Sequence, residues 1–352
     1  MLWKHSVEIV TFRQTGEGAI MGRRIQYQIR VFLLLSLSWA CVGKVRSQIP
    51  LDTTYTVAST LRKLVKQYPH IQAVFPKSQA NVRQIEDVVY RAIPETPFGK
   101  RDLHADIFIP SGKQTFPAVI MIHGGGWRSG NKSLNTPMAQ HLAMKGFAVV
   151  SVEYRLSLEA KYPAALQDVK AAIRWVRAHA DEYQIDSKKI AVAGYSAGGQ
   201  LASLAGVTNG NEKFEEEYGE VNFSSEVQAV VDMDGLLDFT NAESLAVKRT
   251  TNSADVSWLG GFYEEIPERW KEASPLVWVN RDAPPFLFIN SSQTRFHAGC
   301  DDMVSRLNQF GIYNEVHTFE DAPHSYWFFH PWFDPTIEHM TNFLNTVFNS
   351  KR

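Results

Sequence analysis

Ser196 lies in the stretch IAVAGYSAGGQLAS, residues 190–203, with Gly194 two positions before it and Gly198 two after. The apolar run ahead of it reads as a buried strand and the small residues behind it as a helix that packs closely, so Ser196 falls on the sharp turn between them. This is the spacing of a GxSxG nucleophile turn, in which the hydroxyl stands at the crest of a bend that only small neighbours allow. A serine hydroxyl is a weak nucleophile near neutral pH. It needs a base to take its proton and donors to hold the oxyanion formed on the carbonyl it attacks. A glycine-lined helix start can also bind phosphate through its free amides, so the companions of the serine decide between the two chemistries.

The donors are found in MIHGGGWRSG, residues 121–130, where glycines leave the amides of Gly125 and Gly126 uncovered, to be joined by the amide of Ala197. His123 beside them suits a histidine that ties down the loop. The base is expected after the last strand, and FEDAPHSYWFFHPWF, residues 319–333, offers His324 in a loop opened by Pro323. His330 sits among aromatic residues, and His317 falls within a strand. For the acid, Asp234 at the end of VQAVVDM is preferred, because it keeps the order Ser196, Asp234, His324. Asp232 would lie deeper on the same strand. Asp301 and Asp302 come next, although AGCDDMVSRL also reads as an ordinary helix start. Glu320 and Asp321 are near His324 in sequence and are expected to face solvent.

These residues need a scaffold. IEDVVYRAI and LHADIFI alternate with period two, while PAVIMI (117–122) and FAVVSVEY (147–154) are continuous apolar runs of the kind buried in parallel sheets. PAALQDVKAAIRWVRAHADEY, residues 163–183, predicts an amphipathic helix entered by proline. KIAVAG, VQAVVDM, PPFLFIN and YNEVHTF predict further strands, with helices after Gly299 and after Pro335. Regular alternation of strand and helix predicts an α/β fold with a mostly parallel, doubly wound sheet. Residues 48–83 form a lead-in and residues 84–350 the main domain. Two inserts interrupt it: an acidic loop (208–226) and a cap-like segment, 236–283, over the strand ends where ligands bind in such sheets. Phe239, Trp258, Phe262, Tyr263, Trp270 and Trp278 of the cap suit either stacking on sugar rings or a small core of their own. Trp127 and Tyr195 are candidate substrate-pocket walls. Arg295, His297 and Arg128 are candidates for binding a substrate carboxylate, or for surface ion pairs.

Taken together, HGGGW (123–127), GYSAGG (194–199), VEYRLS (152–157), YPAALQDVKAAIRWVRAHA (162–180) and PPFLFIN (284–290) resemble the α/β-hydrolase superfamily. The resemblance covers about residues 86–348. It is to the HGGGW/GxSAGG branch that contains hormone-sensitive-lipase-like esterases and bacterial carbohydrate esterases. FINSSQTRFHAGCDDM and EVHTFEDAPHSYWFFHPWF are more narrowly similar to acetyl and methyl esterases of Bacteroidetes pectin loci. The resemblance implies a serine carboxylic-ester hydrolase that needs no metal or cofactor and removes acyl groups, acetyl first, from plant cell-wall polysaccharide or oligosaccharide. A pectin methylesterase or a serine peptidase of the same fold is the alternative, and a hydrolase-like carbohydrate-binding protein without a competent acid is the non-enzymatic one. One departure stands out: the wider family carries an Asp just beyond the strand PPFLFI, and NSSQTRF has none.

Composition sets the bounds. With 352 residues, 44% apolar, the chain can bury one large core beyond an N-terminal extension. Arg23, Arg24 and Arg30 precede the uncharged VFLLLSLSWACVG (31–43), too short to span a bilayer and suited to a signal peptide over residues 1–47, with Met21 as an alternative start. Cleavage after Ser47 predicts an exported, periplasmic or extracellular protein. Lipidation at Cys41 is the rival, and the one route to a membrane. Beyond residue 47 stand 29 basic and 35 acidic residues, a net charge of −6, which argues against nucleic-acid binding. Cys300 is then the single cysteine, which excludes an internal disulfide. Oligomeric state is not legible.

Overall fold

The computed structural model of the protein describes residue 49 and residues 52–216 and 219–350. The expected signal segment 1–47, with Cys41, lies outside them. The described residues form ten strands: β1 (Gln72–Ala73), β2 (Val82–Ile93), β3 (Arg101–Pro110), β4 (Phe116–Ile122), β5 (Ala148–Val152), β6 (Ile185–Tyr195), β7 (Ala229–Met233), β8 (Phe286–Asn290), β9 (Asn314–Thr318) and β10 (Phe329–His330). Eight of them make one sheet in the order β2-β3-β5-β4-β6-β7-β8-β9. The pairs β2–β3 and β3–β5 are antiparallel, and every pairing from β5 through β4 to β9 is parallel. The continuous apolar runs occupy the centre: every residue of β5, β7 and β8 is buried, as parallel strands covered on both faces must be.

Alternation along the strands divides the core into two layers. Ile120, Ile122, Val150 and Val192 face helices α3 (Ala164–Ala178) and α4 (Ala197–Val207), while Val119, Met121, Val149 and Ala193 face α2 (Thr136–Met144) and the C-terminal α10 (Phe333–Asn349). Helix α3 is shorter than its sequence pattern predicts. It stops at Ala178, and a turn in which Gln184 adopts φ 56° and Ile185 N donates to Ala180 O leads directly into β6. The last helix begins two residues before Pro335, which occupies the first turn where its missing amide is not needed.

The two inserts resolve differently. In the acidic loop, Glu215 pairs with Lys170 and Arg174, and Glu216 with Arg91 and Arg155, so these carboxylates neutralise cations of α3 and its neighbours. The segment 236–283 folds into four short helices, α5 (Ala242–Leu245), α6 (Ala254–Leu259), α7 (Pro267–Glu272) and α8 (Pro275–Trp278). Phe239, Trp258 and Trp270 are fully buried there, so these rings are the insert's own core and not a platform for sugars. Trp258 stacks on Trp127 with ring centroids 4.7 Å apart and planes 8° from parallel, which ties the cap to the glycine loop.

The lead-in carries helix α1 (Val57–Leu64), started by a reciprocal capping box between Thr56 and Ser59. Its strand β1 pairs with β10, a two-residue ribbon too short to give a sequence pattern. Further contacts reach the loops at the strand ends. Asp52 bridges Ser129 and approaches Arg128 Nε at 3.4 Å, and the Tyr55 hydroxyl lies 3.4 Å from Ser325 Oγ.

Candidate active site

Strand β6 ends at Tyr195, α4 begins at Ala197, and Ser196 between them adopts φ 54°, ψ −124°, a region non-glycine residues rarely occupy. Neighbouring backbone holds it there: Ser196 N donates to Met233 O at 2.8 Å and Gln200 N to Ser196 O at 3.0 Å. The flanking glycines are required by contact. A Cβ at Gly194 would stand 2.2 Å from Gly198 O, and one at Gly198 would stand 2.2 Å from Ile122 O.

Ser196 Oγ lies 3.0 Å from His324 Nε2, and His324 Nδ1 lies 2.9 Å from Asp234 Oδ2. Asp234, on the turn after β7 with φ 52°, is 1% exposed. Its Oδ1 accepts from Ser291 N at 2.8 Å and from His297 Nδ1 at 3.0 Å. Burial pushes its pKa up, but hydrogen bonds from His297 and His324 outweigh burial and hold it down at about 2. An ionised carboxylate is acceptor-only, so His324 carries its proton on Nδ1 and turns an accepting Nε2 toward the serine hydroxyl. The His324 ring is fixed on both sides: Phe296 stacks on its face with centroids 3.5 Å apart, and Trp327 meets it edge-on at 4.9 Å.

No other carboxylate considered from the sequence takes that place. Asp301 and Asp302 are exposed in the first turn of α9 (Cys300–Gln309), Glu320 is exposed, and Asp321 accepts from Trp332 Nε1 at 2.9 Å. Asp232 is buried and accepts from Ser203 Oγ and from Gly235 N at 2.6 Å. Burial pushes its pKa up to about 7 in spite of those bonds. His123 is 1% exposed, its Nδ1 lies 2.8 Å from Gly124 O, and burial lowers its pKa to about 4, consistent with a neutral ring that fixes the loop.

Gly125 and Gly126 adopt φ 122° and 60°, and a Cβ at Gly125 would stand 2.1 Å from Ser129 O, so only glycine lets the loop turn back here. Among the described residues, the amides of Gly125, Gly126 and Ala197 donate to no protein acceptor. Gly126 and Ala197 line a pocket of about 280 Å³ whose walls also include Ser196 and Trp127, Arg249 and Ala254 from the cap, and Arg295 from the turn after β8. The Trp127 indole is positioned by Gln200, whose Oε1 accepts from Trp127 Nε1 at 2.9 Å while its Nε2 donates to Ala273 O at 2.9 Å. Sequence reading passed over Gln200; its signal was a single amide one turn after Ser196 in a helix of small apolar residues.

Two sequence expectations are corrected. Tyr195, expected to wall the pocket, is 1% exposed and stacks on Trp327 within the opposite core layer, because consecutive strand residues point to opposite faces. His297, expected to face substrate, is turned onto Asp234. Of the remaining candidates, Arg128 reaches Asp52 and Asn252 O, and Arg295 is exposed at the pocket with its guanidinium 3.8 Å from the Phe296 ring centroid.

A family model described as BD-FAE matches residues 105–298, more than half of the chain. Over 178 residues, 50% of this chain, the sequence is 34% identical to "Esterase LipC" of Mycobacterium tuberculosis. It spans 44–48% of the length of that protein and of two further esterases of the same organism. Among solved structures, a "truncated form of carbohydrate esterase from gut microbiota" is similar with a TM-score of 0.67 and 27% identity, covering 78% of this chain and 100% of that one. A "bifunctional GH43-CE" of Bacteroides eggerthii gives a TM-score of 0.66 and 29% identity over 75% of this chain and 38% of that one.

Proposed function

Because the chain belongs to the BD-FAE family and has the α/β-hydrolase fold, we propose that it is a serine esterase. Ser196 Oγ attacks the ester carbonyl carbon as His324 Nε2 takes its proton, and the amides of Gly125, Gly126 and Ala197 receive the oxyanion. His324 then returns the proton to the departing alcohol. Water attacks the acyl-serine with His324 again as base, releasing the acid and restoring the hydroxyl. Asp234 keeps the imidazole in the accepting tautomer and stabilises the imidazolium formed in each half-reaction. The observation that carries this reading is the unbroken line of hydrogen bonds Ser196–His324–Asp234 beside the pocket lined by Gly126 and Ala197, whose amides have no acceptor among the described residues.

The substrate we infer is an acetylated cell-wall carbohydrate. A pocket of about 280 Å³ suits a short acyl group, being near the small end of ligand sites. Two similar structures bear the names carbohydrate esterase and GH43-CE. Arg295, exposed and lining the pocket, is the side chain we assign to the carbohydrate part of the substrate. Export is proposed from the charged and apolar pattern of residues 23–43.

The test is acetate and methanol release, measured in parallel from pectin, xylan and acetylated mannan, together with hydrolysis of 4-nitrophenyl acetate by the native chain and by Ser196→Ala. Acetate release is expected, with kcat of the variant lower by at least about 10⁴-fold. Undiminished hydrolysis in Ser196→Ala overturns the mechanism. Methanol without acetate moves the substrate to methyl esters.

A further inference from the structure

The loop after β8 contains no carboxylate, yet it closes on the acid. We infer that His297 is a positioning residue for the reaction: it clamps Asp234 through Oδ1 so that Oδ2 stays aimed at His324.

A carboxylate rotates readily about its sp³–sp² torsion. With Oδ2 given to His324, the angle of the group is set by what holds Oδ1. Two donors do so, Ser291 N at 2.8 Å and His297 Nδ1 at 3.0 Å, and both come from the loop where the wider resemblance would have placed the acid itself. His297 closes the short turn Thr294–His297, and the next residue is anchored firmly: Ala298 O accepts from both Leu237 N and Asp238 N, each at 3.1 Å. The turn that carries the clamp also presses Phe296 on the His324 ring, so one tripeptide, Arg295 to His297, braces base and acid together. His297 has a 13% exposed side chain, too enclosed for a surface ion pair. Its hydrogen bond is the largest of the contributions that offset burial and lower the pKa of Asp234.

The clamp also sets basicity. A donor on Oδ1 draws charge from the carboxylate and weakens its pull on the His324 imidazolium. Removing the donor makes Asp234 the stronger partner of the imidazolium, so the acidic limb of the rate profile moves to higher pH. The charged or titratable groups placed near His297 among the described residues include Asp234 and Asp232 from β7 and its turn, His324 across the acid, Arg295 on its own turn, and Glu243 of the cap, which accepts from Thr294 at the start of that turn; Cys300 follows at the start of α9. Asp232, pushed up by burial to about 7, is a second buried carboxyl beside the pair, so its own contribution to the profile is tested separately.

This inference rests on the esterase reading, and the experiment separates the two. In the full chain, kcat and KM for 4-nitrophenyl acetate are measured for His297→Ala and His297→Asn across the titration range of imidazole, with melting temperatures as a check on folding. His297→Ala is expected to lose about ten- to a hundredfold in kcat with little change in KM, and to shift its acidic limb upward. His297→Asn, whose amide can donate to the same oxygen, is expected to recover most of the rate and return the limb. The shift is expected to persist in an Asp232→Asn background. A native rate and limb in His297→Ala overturns the clamp, as does equal loss in both variants with an unmoved limb, or disappearance of the shift in Asp232→Asn. Activity that survives Ser196→Ala refutes the esterase reading instead.

Discussion

Two carboxyls two residues apart on one strand end meet opposite fates. Asp234 receives three donors and is held at about 2, while Asp232, equally buried with fewer donors, rises to about 7. The folded pKa of Asp234 lies below its ordinary value, so the stability it contributes is present above about pH 4 and is lost as pH falls toward about 2. In neutral solution it is fully charged. Asp234→Asn would put an amide where the acceptor stood, and the proton of His324 would move to Nε2, facing the serine. A fall in kcat of about 10⁴ is expected in steady-state kinetics on 4-nitrophenyl acetate, with folding intact by circular dichroism. Ser196 and His324 were legible in the sequence because motif spacing and chain order fix them. Asp234 was legible only as one acid among several, since its partner lies 90 residues away and the signal was chain order alone. The role of His297 was not legible, because its contact crosses 63 residues and two loops.

At the scale of the element, the turns carry the conformational cost. Of the six non-glycine residues with positive φ among the described residues, Ser196 and Asp234 belong to the hydrogen-bonded line, Trp127 ends the glycine loop and Ser325 follows His324. Each such conformation costs of order 1–3 kcal/mol and persists only where its surroundings enforce it. The glycines are part of that enforcement. Gly198→Ala would drive a methyl against Ile122 O, separating α4 from β4. A loss of about 3 kcal/mol or more is expected, measured by urea unfolding, with activity falling in step. Strands of the parallel core were legible from their unbroken apolar runs. The β1–β10 ribbon was not, because two residues have no periodicity, and the side-chain direction of Tyr195 was misread for want of the strand register.

Across the whole molecule, segments distant in sequence converge on the strand ends. The cap is stapled to the glycine loop by Trp258 on Trp127 and by Gln200. The lead-in touches that same loop at Ser129 and the histidine loop at Ser325. The lead-in therefore behaves as a strap across both sides of the reaction centre. A chain lacking residues 1–56 is expected to show about ten- to a hundredfold lower kcat than one lacking residues 1–48, with KM changed less, because small misplacements of reacting groups are costly. Equal kcat in the two would show that the strap positions nothing. Cys300 ends the same picture. It is 4% exposed, it accepts from Asn290 Nδ2, and burial pushes its thiol up to about 12. With residues 1–48 removed, the chain offers alkylating reagents almost no thiolate. A cysteine placed by design on the cap or the strap would be the one site a maleimide dye could label, leaving a native background for watching those segments move.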